Sequence, residues 1–385
     1  MLNFNPFKIY EDFRNKNLGK EQASELLKLI IDDNSGPILS SRVYALKFLD
    51  LISDKDEELY LFLENLLISG SHELIRGNAA KVIIKKFPKR AYMPIKWILD
   101  HESSTNCISL IIPTLERSND QKLKSLLKNI QYVNYKGIIC FPLKFLPILN
   151  LNFKNIVNIK KVKGLEKLKS LKKIYLNFNL IKEIKGLNNL TNLESIHLQG
   201  NKIKRINGLE NLNKLKYLYL NNNRISEIKG IANLINLKSL QLFDNNILEI
   251  SCLEKLSKLK ILNLRNNLIT KIEGLENLVS LKRLDLSNNQ ISEIINLENL
   301  INLEFLDLSH NHITEIKGLH NLRKLKFLDL RNNKITEIKG LDNLSNLQHL
   351  YIGFNKISKF YKMNNPNFMK IVDLKNTDDY EKLNF

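Results

Sequence analysis

Three aspartates, Asp285, Asp307 and Asp329, recur at intervals of 22 residues. In a fold that stacks equal turns, such an interval sets like side chains beside each other, about 4.8 Å apart if the stack is a sheet. Three carboxylates so placed repel one another. They must be neutralised by the chain's own Arg265, Arg283 and Arg331, by a basic segment of a partner, or by a bound cation. No catalytic constellation accompanies them. The seven histidines, His72, His101, His197, His310, His312, His320 and His349, include no H-E-x-x-H, and neither G-x-x-x-x-G-K-[ST] nor G-x-S-x-G occurs. Cys107, Cys140 and Cys252 are scattered and never in C-x-x-C spacing, which indicates neither a zinc site nor a disulfide framework. The expectation is a chain without enzymatic activity, cofactor or metal.

The elements that position these residues follow from the same interval. Leucine stands at Leu171, Leu193, Leu215, Leu237, Leu259, Leu281, Leu303, Leu325 and Leu347, and eight places after each comes an asparagine, from Asn179 to Asn355. Each unit reads L-x-x-(L/I)-x-(L/I)-x-x-N-x-I-x-x-(I/F), and the first eight continue x-(G/C/N)-(L/I)-x-x-L. The alternation in the first half is that of a strand with one face inward. The asparagine marks a turn that buries backbone, where one amide can both donate and accept. Gly at place 16 suits a positive φ; Cys252 and Asn296 replace it in two units, and Cys252 fits that turn poorly.

These units resemble the leucine-rich repeat, specifically the short 22-residue class typified by the regulatory subunit of protein phosphatase one. A degenerate tenth unit lies upstream: Ile159, Val162, Gly164, Leu165 and Leu168 fit its second half, whereas LNLNFKN fits the first half poorly. The resemblance covers residues 149–368. It implies an α/β solenoid with a parallel sheet on the concave face, a non-catalytic protein-binding scaffold or regulatory subunit, and a phosphatase or other signalling protein as one partner class.

Function in such a coil falls to residues pointing out of the sheet, at places 3, 5, 7 and 8. Aromatics there form an early patch, Tyr175, Phe178, Tyr217, Tyr219 and Phe243, and a late one, Phe305, Phe327, Tyr351 and Phe354. Exposed aromatics beside Arg265, Arg283 and Arg331 have the composition of interface anchors. Together with Asp285, Asp307 and Asp329 they are the candidate partner-binding residues.

Residues 1–130 form the expected N-terminal domain, and residues 10–130 have apolar positions at three- and four-residue spacing, interrupted at NSGP (34–37), SDKD (53–56), ISGS (68–71), FPKR (87–90) and RSND (117–120). That pattern predicts an all-α domain of six or seven short helices, a helical repeat or bundle. SSRVYALKFL superposes on LIRGNAAKVI with Arg42 on Arg76 and Ala45 on Ala79, which resembles HEAT-type repeats. Residues 131–150 are apolar enough to form a junction and N-terminal cap of the solenoid, and 369–385 are expected to cap its other end.

The chain carries a net charge of +19. Residues 1–140 hold 20 Lys+Arg against 17 Asp+Glu, so +16 falls on the remainder. Place 2 gives a rim of Lys172, Lys216, Lys238, Lys260, Lys282 and Lys326. The alternative function is therefore binding of nucleic acid or another anionic surface through that rim. The absence of a secretory leader pattern or a long apolar run predicts a soluble cytoplasmic protein with no membrane span.

Overall fold

The computed structural model describes residues 5–32, 38–142, 147–361 and 372–373. The chain divides into two compact units, Met1–Phe141 and Pro142–Phe385.

Eight α-helices occur among the described residues of the first unit: α1 (Pro6–Arg14), α2 (Lys20–Asp32), α3 (Leu39–Ile52), α4 (Glu57–Ser69), α5 (Glu73–Lys86), α6 (Tyr92–His101), α7 (Thr105–Arg117) and α8 (Gln121–Ser125). The polar interruptions SDKD, ISGS, FPKR and RSND separate helices as expected, whereas NSGP lies outside the described residues. Asp56 shows how such a break works, its carboxylate accepting the Leu59 amide at 2.8 Å to cap α4. Helices α3, α5 and α7 pack side by side, with α2 against α3 and α4 against α5. The superposed residues do equivalent work. Arg42 Nε donates to the Ile31 carbonyl (2.8 Å) at the end of α2, and Arg76 Nη1 donates to the Gly70 carbonyl (2.8 Å) at the end of α4. Each arginine thus satisfies a carbonyl left over where a helix stops. Ala45 and Ala79 are fully buried, where a larger side chain would hold the helices apart. The unit closes with a hairpin, β1 (Val133–Tyr135) and β2 (Ile138–Cys140), turning through Lys136 and Gly137 at φ 51 and 85.

The second unit is a parallel-sheet solenoid. Its strands are three residues long: β3 (Ile148–Asn150), β4 (Lys173–Tyr175), β5 (Ser195–His197), β6 (Tyr217–Tyr219), β7 (Ser239–Gln241), β8 (Ile261–Asn263), β9 (Arg283–Asp285), β10 (Phe305–Asp307) and β11 (Phe327–Asp329), then β13 (His349–Tyr351). With the two-residue β15 (Val372–Asp373) they form one eleven-stranded sheet in sequence order. A short pair, β12 (Glu337–Ile338) with β14 (Lys359–Phe360), lies apart from it. Apart from β15, the expected C-terminal cap at 369–385 lies outside the described residues.

Pairing from β4 to β13 keeps equal places opposite each other, as in Phe305↔Phe327 and Asp307↔Asp329. Side chains of one place therefore form columns along the sheet. The asparagine fixes each turn: in Asn267, Nδ2 donates to the carbonyls of Leu242 (3.1 Å) and Leu264 (2.9 Å), and Oδ1 accepts the Ile247 amide at 3.0 Å. The same bonds recur from Asn201 to Asn355. Place 16 has a positive φ in every regular unit where it is described, from Gly186 to Gly340. At Gly208 (φ 78) an added Cβ would lie 2.1 Å from the Ile184 carbonyl oxygen. Cys252 and Asn296 make the same turn at φ 60 and 59, so the doubtful unit keeps its geometry. The upstream unit differs in length. Leu149 pairs with Ile174, a step of 25 residues rather than 22, which is why LNLNFKN aligns poorly at the regular interval.

Candidate partner-binding face

The columns decide which candidate residues meet. At place 5, Tyr175, His197 and Tyr219 stack with ring centroids 4.4 and 4.3 Å apart. His197 supplies the link between the two predicted tyrosines. Its Nε2 lies 3.0 Å from Ser195 Oγ. Burial, with Lys173 nearby, pushes its pKa down to about 4, so the ring is neutral at neutral pH. Tyr217 stands exposed on the same strand as Tyr219, and Phe243 makes no ring contact among the described residues.

Phe178 leaves this group. It stacks instead on Phe153, centroids 4.9 Å apart, both exposed and both at positive φ, 54 and 56. Place 8 is a left-handed turn residue just beyond the strand, and its other occupants are Gly200, Asn222, Asp244, Asn266, Asn288, His310 and Asn332, types that tolerate it. Phe178 and Phe354 are the bulky exceptions. Asp244 accepts from Asn222 Nδ2 (2.9 Å) and Asn266 Nδ2 (2.5 Å), and Asn288 donates to Asn266, a polar ladder along this edge. Sequence reasoning missed both the ladder and Phe153; the run of Asn, Asp and Gly at place 8 was the available signal.

In the late patch Phe305 and Phe327 stack at 4.4 Å, and Phe327 lies 5.4 Å from Tyr351. Arginines sit over both ends, Arg283 4.0 Å from the Phe305 ring and Arg331 5.0 Å from that of Tyr351. Phe354 is exposed and has no ring partner among the described residues. Arg265 is exposed on the neighbouring turn.

The carboxylate column resolves residue by residue. Asp329 is 1% exposed and chelated by Arg331, so it is a buried ion pair rather than an outward contact residue. Asp285 and Asp307 each accept from the backbone N–H and Oγ of the serine two places on, Ser287 and Ser309. Arg283 lies on Phe305 and pairs with no carboxylate among the described residues. Burial, with Asp285 and Asp329 to either side, raises the pKa of Asp307 despite its Ser309 hydrogen bonds. Among the described residues no group of three or more His, Cys, Asp or Glu is arranged to hold a metal ion.

The lysine rim is broken by two glutamates. Glu194 pairs with Lys172 and Lys216, and Glu304 with Lys282 and Lys326, which lower the Glu304 pKa to about 2. Lys238 and Lys260 make no ion pair among the described residues. In the helical unit Cys107 is buried, and burial together with Glu102 pushes its thiol up to about 12, which makes it a packing residue rather than a nucleophile. Among the described residues no helix is long and apolar enough to cross a membrane.

A sheet of three-residue parallel strands with an asparagine ladder defines a leucine-rich repeat solenoid. The sequence pattern described as Leucine Rich repeats (2 copies) matches residues 191–233, 279–321, 301–343 and 323–376, and a second leucine rich repeat pattern matches 235–291. Among solved structures, an internalin (inlF) from Listeria monocytogenes is 30% identical over 60% of this chain and 70% of its own, with a TM-score of 0.50. Internalin C2 (inlC2) from the same organism is 32% identical over 50% of this chain and 85% of its own, with a TM-score of 0.47. TLR13, in its complex with ssRNA13, is 22% identical over 70% and 43%, with a TM-score of 0.53. No curated protein matches the chain. The chain belongs to the leucine-rich repeat family, whose members commonly act as protein-interaction scaffolds or receptors.

Proposed function

We propose that the protein is a non-catalytic scaffold or regulatory subunit whose concave sheet face binds a protein partner at the late patch. The observation that carries this reading is the partly exposed Phe305–Phe327 stack, with Arg283 over the Phe305 ring and Arg331 over that of Tyr351 beside Phe327. Stacked rings present apolar area with little side-chain entropy left to lose, and arginines held over their faces offer donors at the edge. Early rings around His197 extend the same surface. A phosphatase catalytic subunit is one partner class implied by the repeat type. The helical unit is a second docking element of HEAT-like character in this reading, supported by the equivalent roles of Arg42 and Arg76. Three scattered cysteines, none in C-x-x-C spacing, are consistent with the cytoplasm as its setting. The rim of lysines favours nucleic acid less, because Glu194 and Glu304 hold four of its six members in ion pairs and cancel two of its six charges.

Affinity purification with wild type and with Phe305→Ala plus Phe327→Ala, a phosphatase catalytic subunit included among the candidates assayed, tests the assignment. A specific partner recovered by wild type should fall at least tenfold with the variant, which keeps the solenoid's circular dichroism. Equal recovery removes the late patch from the binding surface.

A further inference from the structure

The cations of the helical unit are arranged differently from those of the solenoid rim, where glutamates intervene. A cleft of about 900 Å³ between α5 and α7 is walled by Lys81, Lys85, Lys89 and Arg117, with Ile84 and Pro88 as its apolar part. Cations often gather at helix C-termini because free carbonyls attract them. That accounts for Lys85, which also pairs with Asp50, and for the Nε of Arg117, which donates to the Pro113 carbonyl at 2.9 Å. It does not account for Lys81, which is half-buried within α5 and, among the described residues, meets only Asn78 Oδ1 at 3.4 Å. Burial lowers the pKa of Lys81, Lys47, Lys85 and Arg117 lower it further, and Asp50 opposes them. Asp120, on the cleft's edge, is committed to capping α8 through the amides of Lys122 and Leu123. Among the described residues no carboxylate pairs with Lys81, Lys89 or Arg117.

We propose that this cleft binds a small phosphorylated molecule, its phosphate chain held by Lys81, Lys85 and Arg117 and its organic part lying on Ile84 and Pro88. The volume is in the range of small-ligand sites, roughly 300–1,000 Å³. The guanidinium is fixed by its Nε bond, which leaves its Nη donors for a planar, bidentate grip on phosphate oxygens. Ser118 Oγ accepts the Asp120 amide at 3.1 Å and keeps its own proton to donate. A cluster converging on one cleft suits several charges on adjacent phosphates. An acidic peptide, with carboxylates about 6–7 Å apart along one side of a strand, would spread beyond it.

Isothermal titration of the full chain at physiological salt, with sodium triphosphate, ATP and a polyglutamate peptide in parallel, tests the proposal. Triphosphate should bind, and ATP at least as tightly. Lys81→Gln and Arg117→Gln should each weaken both at least tenfold, and the exposed Lys89→Gln less. Lys238→Gln with Lys260→Gln, on the solenoid rim, should leave binding unchanged. The basic chain's general attraction for polyanions would instead weaken with the rim variant as much as with the cleft variants, which overturns the proposal. So does absence of triphosphate and ATP binding, unchanged affinity in cleft variants that keep the wild-type circular dichroism, or tighter binding of the peptide than of ATP.

Discussion

Arg331 closes on Asp329 from two residues away. Its Nε lies 3.0 Å from both carboxylate oxygens, and its Nη2 and backbone N–H also donate to the same group. The carboxylate is 1% exposed while the arginine side chain is 45% exposed. Removing one partner of a buried pair leaves an uncompensated charge, at a cost of roughly 3–5 kcal/mol when both are buried. With the arginine near water the loss is smaller, about 2 kcal/mol. Arg331→Ala should therefore lower the urea midpoint, and adding Asp329→Asn should recover most of the loss. A double variant no more stable than Arg331→Ala would show that the charge is not the cause.

Asp307 has the opposite problem, a carboxylate with raised pKa and, among the described residues, only Ser309 as donor. Between its ordinary value and the folded one, the folded state holds the proton that the unfolded chain releases. The favourable term is complete below the unfolded pKa and is lost as pH rises through the folded one. Asp307→Asn keeps the acceptor for Ser309 and removes the charge. Its stability relative to wild type, from urea unfolding, should rise between pH 3 and pH 7; a difference independent of pH would contradict the raised pKa.

Much of this architecture was legible because a solenoid repeats one environment. Leu171 and its eight successors, and Asn179 and its eight, face the same neighbours in turn after turn, so the sequence repeats where the physics does. Legibility failed where one turn differs from the next. The 25-residue step at Leu149 hides behind an alignment at 22. Glu194 and Glu304 interrupt a rim that reads as lysine when only lysines are followed. Place 8 reads as an outward position of the sheet when the alternation is simply continued, whereas its asparagines and glycine belong to a left-handed turn that Phe178 and Phe354 share. Whether Arg283 covers Phe305 or neutralises Asp285 is a choice of rotamer between two attractive neighbours, and residue spacing carries no information about it.

His197 should titrate far below an ordinary histidine. Its pKa is lowered to about 4 by burial first and by Lys173 second. The neutral ring contributes stability that is present above the unfolded value of about 6.5 and is lost as pH falls toward 4, at most about 3 kcal/mol. Proton NMR of the imidazole should give a midpoint near 4. His197→Gln should flatten the stability profile over that interval, and a midpoint above 6 would remove the argument.

Asn267→Ala should destabilise the solenoid more than its size suggests. It strands the Ile247 N–H inside the turn and takes one of two amide donors from each of the Leu242 and Leu264 carbonyls, which keep Asn245 and Asn289. An unpaired buried amide costs about 1–3 kcal/mol and each bond lost from a carbonyl that keeps a partner about 0.5–1 kcal/mol, so a total of about 3 kcal/mol is expected. Asn267→Asp should be at least as harmful, since it keeps the acceptor but sets a charge against two carbonyls. Thermal unfolding at pH 7 compares them, and an aspartate variant as stable as wild type would mean that the donor bonds are dispensable.

Cys252 offers the reverse change. It makes with a side chain, at φ 60, the turn that Gly208 and its equivalents make without one. A non-glycine residue in that region is strained by about 1–2 kcal/mol, and glycine gives back part of the gain through the freedom of its unfolded chain. Cys252→Gly should therefore stabilise by roughly 0.5–1 kcal/mol, whereas Cys252→Val, branched at Cβ, should destabilise by more than that. Asn296→Gly should gain less, because Asn296 Nδ2 donates to the Ile272 carbonyl at 2.8 Å and glycine forfeits that bond. Urea midpoints for the three variants give the order, and a valine variant equal to wild type would show that the turn tolerates any side chain.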